Sequence, residues 1–117
     1  LINNTPFFIW SNDIKSQSVN KVTMQMNILP TVLNLFGIDY NSNYYLGTNA
    51  LSPKYKGLAY FSDYSWYDGN AYVENGEVVN GKKISKKKLE ETSDKVNKLF
   101  RKNDLTLKYD YFKTLGK

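Results

Sequence analysis

Thr31, four carboxylates, three aromatics on one short stretch and a run of lysines are the side chains whose type and position could do chemistry in this chain. A threonine hydroxyl attacks esters or phosphates when a base or metal takes its proton. Thr31 stands in "MQMNILPTVLNLFGI" (24–38) with no His, Lys or metal ligand at an activating spacing, so a structural role is expected. Asp63, Asp68, Glu74 and Glu77 could pair as acid and base or hold a cation. A hard cation needs several oxygens converging on one point. Two of these residues fall at expected strand ends and two flank Asn75-Gly76, which reads as solvated turn positions.

Tyr64, Trp66 and Tyr67 sit in "YSWYDGN" (64–70). Loops carry binding residues more often than cores do. These rings could line a substrate cleft or stack on a sugar, and they could equally cover a sheet edge. The segment "GKKISKKKLEE" (81–91) holds most of the excess behind the net charge of +5. It reads either as the solvated start of a helix or as a surface drawn to lipid headgroups or a phosphate polymer. Nucleic acid is not the expected partner, because nucleic-acid modules interleave aromatics with their basic residues and the Tyr/Trp cluster lies elsewhere in the sequence.

The totals remove other chemistries. There is no Cys, hence no disulfide and no thiol nucleophile, and no His, the commonest general base and transition-metal ligand. Ten Tyr, six Phe and two Trp in 117 residues are the composition of a folded chain with a core, not of a disordered one. No apolar run approaches the ~20 residues that span a bilayer. The sequence opens in strand-like residues at Leu1, and the expectation is a piece of a longer protein.

The elements that must position these residues follow from period and punctuation. "TPFFIW" (5–10) is a continuous apolar run that reads as a strand buried on both faces. A polar loop follows at 11–20, and Val22, Met24 and Met26 then alternate as an extended segment. Asn27 is placed to N-cap a helix, Pro30 falls in its first turn and Gly37 supplies a left-handed C-cap. Apolar residues cover more than one side of that helix, which predicts deep burial. Residues 39–57 read as a long loop, and 58–64 and 70–80 as antiparallel strands with a hairpin turn at Asn75-Gly76. Lys82 to Ile84 would continue an edge strand. Ser85 caps a helix of about 17 residues whose apolar face is Leu89, Val96, Leu99 and Phe100. Asn103-Asp104 is expected to break it and start a second helix through Leu105, Tyr109, Phe112 and Leu115.

The order of these pieces resembles the C-terminal part of the sulfatase-like domain of lipoteichoic acid synthases and related phosphoglycerol transferases, in the alkaline phosphatase superfamily. The resemblance covers nearly the whole chain. It is carried by "QMNILPTVLNLFGI", by "LGTNAL" (46–51), and by "SDKV" (93–96) followed by a short Tyr-rich helix. Asn27 and Asn49 stand where that family usually has Asp.

The resemblance implies an α/β fold of the alkaline phosphatase/sulfatase-like class. Residues 1–57 would end the main α/β core, with a buried strand and helix of its sheet, and 58–117 would form a small antiparallel sheet with two C-terminal helices. It implies a parent enzyme on the extracellular face of a Gram-positive-type cell membrane. That parent would use a Thr nucleophile and a divalent metal, manganese or magnesium, to move glycerol phosphate from phosphatidylglycerol. The nucleophile and the metal ligands, including an Asp-His pair a few tens of residues before Leu1, would all lie upstream. No catalytic or metal-binding residue and no cofactor is therefore assigned to residues 1–117. The expected partners are the rest of the domain and, through the parent, a lipid-linked anionic substrate. Uncovered apolar faces at 5–10 and 27–37 predict dimerisation or strand exchange of the chain alone. A sulfatase or other phosphodiester hydrolase, and a stand-alone basic, Tyr-rich module binding anionic cell-wall polymer, remain open alternatives.

Overall fold

Four short strands can bury a face only if something lies across it, and here a single long helix does. The computed structural model describes residues 5–116. The strands are β1 (Ala59–Tyr60), β2 (Trp66–Tyr67), β3 (Ala71–Glu74) and β4 (Glu77–Gly81). They form one antiparallel meander in the order β1-β2-β3-β4. Among the described residues three α-helices accompany it, α1 (Ile28–Leu35), α2 (Lys86–Lys108) and α3 (Tyr111–Leu115), with 3-10 turns at Gln25–Asn27 and Ser42–Tyr44. The chain is thus mixed α/β.

The pairing register explains the core. Tyr60 lies opposite Trp66, Trp66 opposite Val73, and Val73 opposite Val78. Partners across a ladder share a face, so these four side chains form one row across the sheet. Tyr60, Trp66 and Val73 join Val96 of α2 as the buried cluster, with Leu89, Leu99 and Phe100 of α2 and Met24 packed around them. The Trp66 ring is 1% exposed, and its indole N–H donates to Ser93 Oγ at 3.1 Å, so the buried donor is satisfied.

The hairpin is as expected. Asn75 and Gly76 both take positive φ, +52° and +79°, which the tight turn between Glu74 and Glu77 requires. A register shift beside Tyr72/Val73 leaves Val79 opposite no residue, a bulge on the edge strand. β4 stops at Gly81 rather than running on through Lys82–Ile84. Gly81 has φ +97°, and a Cβ there would sit 2.1 Å from the Asn70 carbonyl oxygen. The Trp66–Tyr67 pair is a strand of the sheet, not part of a connecting loop, and the strand expected over 58–64 shrinks to two residues.

Three further expectations are corrected. Residues 5–10 form no strand: they are irregular chain outside the sheet, with Phe8 86% and Trp10 84% exposed. Apolar content marks a segment that wants a partner, and among the described residues no strand pairs with it. The α1 helix is not deeply buried. Only Pro30 and Thr31 are enclosed, while Leu29, Phe36 and Ile38 are exposed. Its C-terminus is as expected, with the Gly37 N–H bonded to the Asn34 carbonyl and the Ile38 N–H to that of Leu33 around a left-handed glycine.

The third correction is the length of α2, which runs straight through Asn103-Asp104. Its start is right, with Ser85 Oγ accepting the Lys88 N–H. Asn and Asp cost a helix interior only about 0.7 kcal/mol each relative to Ala, and a tertiary contact holds the suspect turn. Lys102 Nζ donates to the Tyr45 carbonyl at 2.9 Å, and Thr106 Oγ1 donates back to the Lys102 carbonyl. The break comes at Asp110 instead, a non-glycine residue at φ +48° that redirects the chain into α3.

If the Trp66 row is the core, Trp66→Ala costs about 3–5 kcal/mol, read as a lower urea midpoint by circular dichroism. Trp10→Ala, on an uncovered ring, shifts it by less than about 0.5 kcal/mol. Equal effects from the two would mean that the core is placed wrongly.

Candidate functional site

The two segments that carry most of the resemblance fold against each other. Asn27 is their hub. Its Oδ1 accepts the Met24 N–H at 2.8 Å and a hydrogen bond from the Tyr55 hydroxyl at 3.2 Å, and its Nδ2 donates to the Thr48 carbonyl at 2.9 Å. Asn27 itself is helical and caps no turn of α1 with its side chain, so the expected N-cap is corrected to a tertiary clasp. Both ends of the amide are used. A carboxylate could accept the first two bonds but, when ionised, could not make the third.

Thr31 completes the junction. Its hydroxyl donates to the Asn27 carbonyl at 2.6 Å and accepts the Ala50 N–H at 2.9 Å. With both functions engaged and the side chain buried, Thr31 is a fastener rather than a nucleophile. Gly47 lies so close to the 3-10 turn before α1 that a Cβ would stand 1.9 Å from the Met26 carbonyl oxygen. The single Tyr55 hydroxyl proton is shared between Asn27 Oδ1 at 3.2 Å and the nearer Val22 carbonyl at 2.7 Å. Burial pushes that hydroxyl above the ordinary phenol range, against a smaller opposing backbone hydrogen bond at Leu58.

The aromatic candidates do not converge. Trp66 belongs to the core. Tyr64 is exposed on the β1–β2 turn with φ +66°, and its ring lies against Phe100 at 4.6 Å. Tyr67 is paired with Tyr72 in the sheet, on the face away from the core row, and is partly exposed. Tyr64 and Tyr67 are thus available to solvent and Trp66 is not.

The carboxylates organise turns. Asp63 Oδ1 accepts both the N–H and the hydroxyl of Ser65, chiefly the hydroxyl, and these bonds hold its carboxyl below the usual range. Asp68 Oδ1 accepts the Asn70 and Ala71 N–H groups, and its Oδ2 pairs with Lys88. Burial alone would raise the Asp68 carboxyl, but the Lys88 ammonium and the two N–H groups outweigh it and hold it low. Among the described residues no three His, Cys, Asp or Glu side chains gather where they could hold a metal.

The three lysines of the run that lie in α2 each face a carboxylate. Lys86 faces Glu90, Lys87 faces Glu91, and Lys88 is taken by Asp68. Sequence reasoning missed a cleft of about 270 Å³ between the 44–46 loop and the α2–α3 corner, lined by Tyr44, Leu46, Lys102, Leu107, Tyr111 and Phe112. The three rings pack edge to face there, with centroids 5.6–6.3 Å apart. Its only sequence signal is the aromatic pair after Asp110, and placing the helix break at Asn103 dispersed that signal.

Comparison with protein-family models, with curated proteins and with solved structures yields no match to this chain. Among the described residues no helix is long and apolar enough to cross a membrane.

Two outcomes follow. Asn27→Ala strands the Met24 N–H and the Thr48 carbonyl, and should cost about 1–3 kcal/mol in chemical denaturation; an unchanged midpoint would remove the clasp. The low Asp68 carboxyl gives a signed pH effect. Its contribution to stability is fully present above the unfolded value of about 3.9 and is lost as pH falls through the lower folded value. Thermal melts should therefore hold level down to about pH 4 and fall below it, with a shallower acid limb in Asp68→Asn.

Proposed function

We propose that this chain is the C-terminal structural portion of a membrane-anchored, sulfatase-like phosphoglycerol transferase of the lipoteichoic acid synthase type. In this reading the parent moves glycerol phosphate from phosphatidylglycerol, and its nucleophile and metal ligands come from residues outside 1–117. The chain completes the domain's core, and Tyr64 and Tyr67 stay exposed without converging on one wall.

The observation that carries the reading is uncovered surface. A folded monomer of 13.5 kDa exposes about 6,500 Å², whereas this chain exposes 9643 Å². Its radius of gyration is 16.1 Å, against about 13 Å for a compact domain of this length. Exposed apolar side chains contribute to the excess surface, among them Phe7 to Trp10, and Leu29, Phe36 and Ile38 in and just after α1. A surface of that size and character is suited to a covalently continuous partner layer, which the resemblance supplies as the rest of the domain. The tight docking of "LGTNAL" on "QMNILPTVLNLFGI" gives the same reading a physical reason for the pairing of those two segments.

The test is the coding sequence upstream of Leu1. The expected finding is an Asp-His pair a few tens of residues before it, a Thr nucleophile further back and several membrane spans before that. A Cys/Ser-x-Pro-x-Arg motif in place of the Thr would replace the transferase with a sulfatase. A start codon immediately before Leu1 would overturn both and leave a stand-alone module for anionic cell-wall polymer.

A further inference from the structure

Charge changes character along α2. At about 100° per residue, positions 87, 90, 91, 94, 98, 101, 105, 108 and 109 fall on one stripe of the helix. The first part of that stripe is balanced, with Lys87 against Glu91, Glu90 held by Lys86, and Asp94 adding a negative charge. From residue 95 the balance is lost. Residues 95–108 contain five cations, at 95, 98, 101, 102 and 108, and one acid, Asp104. Lys95, Lys98 and Arg101 are exposed and make no ion pair among the described residues. Lys108 lies over the Tyr109 ring at 5.5 Å rather than against a carboxylate.

Apolar groups are interleaved with these cations. Leu105 and Tyr109, on the same stripe, are both exposed, and Tyr111, Phe112 and Leu115 stand exposed just beyond. A patch that mixes unpaired cations with exposed Leu and Tyr matches the boundary of an anionic bilayer. There phosphates meet the charges, and apolar side chains enter the headgroup region. Simple solvation accounts for the charges but leaves the apolar groups unexplained.

We propose that the C-terminal half of α2 is a docking stripe for an anionic lipid surface. Lys98, Arg101 and Lys108 meet headgroup phosphates, and Leu105 and Tyr109 sit among them. The stripe is separate from the lysine run at 82–88, whose helical members are already paired. It also stands whether or not the chain belongs to a transferase.

The chain has no cysteine, so Leu105→Cys accepts a single environment-sensitive dye on the stripe, and Phe8→Cys gives a control on the apolar N-terminal segment. Both labelled chains are titrated with vesicles of phosphatidylcholine alone and with 30% phosphatidylglycerol. The expected result is a blue shift at position 105 with the anionic vesicles only, weakened by salt. A basic residue near such a surface contributes roughly fivefold in partitioning, so Lys98→Ala with Arg101→Ala should weaken binding about 30-fold. Lys86→Ala with Lys87→Ala should leave it within about twofold. Circular dichroism confirms that each variant is folded.

Four results would overturn the proposal. The first is equal binding to neutral vesicles. The second is a shift at position 8 and none at 105. The third is soluble polyphosphate shifting the 105 dye as fully as vesicles do, which would make the stripe a polymer site. The fourth is a dimer in vesicle-free solution with the 105 dye already buried, which would make it a protein interface.

Discussion

Enclosure of the Trp66 indole is the contact on which the rest of this molecule depends. Two of the strands are two residues long and could not persist as a free sheet. They are held because Tyr60, Trp66, Val73 and Val78 form one row, and α2 lies across it with Val96 fully buried. The Ser93 hydroxyl removes the one polar cost of burying that ring. With α2 fixed on the sheet, its far half projects onward, and Lys102 can reach back to the Tyr45 carbonyl. The loop that carries Tyr45 is held in turn by the Asn27 and Thr31 clasp. One buried row thus orders three regions, each joined to the next by a few named contacts.

The molecule has two kinds of cohesion. Around the sheet it is apolar and cooperative. Between α1 and the 47–55 loop it is polar, made from side-chain amide, hydroxyl and backbone groups with good geometry. Polar junctions of this kind fix a register more than they add stability, since a hydrogen bond nets only about 1 kcal/mol against water. Leu29, Phe36 and Ile38, in and just after α1, are exposed beside this polar junction.

Much of the fold was legible, and the failures share a cause. The Asn75-Gly76 hairpin, the Ser85 cap and the Gly37 C-cap were readable because local backbone geometry decides them. Leu89, Val96, Leu99 and Phe100 were readable because a buried helical face writes its period into the sequence. The strand expected at 5–10, the deep burial of α1 and the helix break at Asn103 were wrong because each depends on a partner. Apolar residues state a need for cover without stating that cover is present, and the Lys102–Tyr45 bond spans 57 residues. Of the candidate site, the aromatic stretch was visible in outline, but strand pairing assigned Trp66 to the core and left Tyr64 and Tyr67 outside. The dual use of the Asn27 amide could not be read, since a cap and a clasp need the same residue type.

Tyr60 is gripped at both ends by sulfur. Its N–H donates to Met24 Sδ at 3.4 Å and its hydroxyl to Met26 Sδ at 3.1 Å. These are the only methionines, and the chain has no cysteine. All of its sulfur, and so all of its thioether redox chemistry, is therefore concentrated at the seam between the sheet and α1. Met26, at 40% exposed, is open to oxidants while Met24 is better covered. Conversion to the sulfoxide makes such a side chain polar and chiral. Thioether oxidation in this protein thus has a single address, the seam between its apolar half and its polar half.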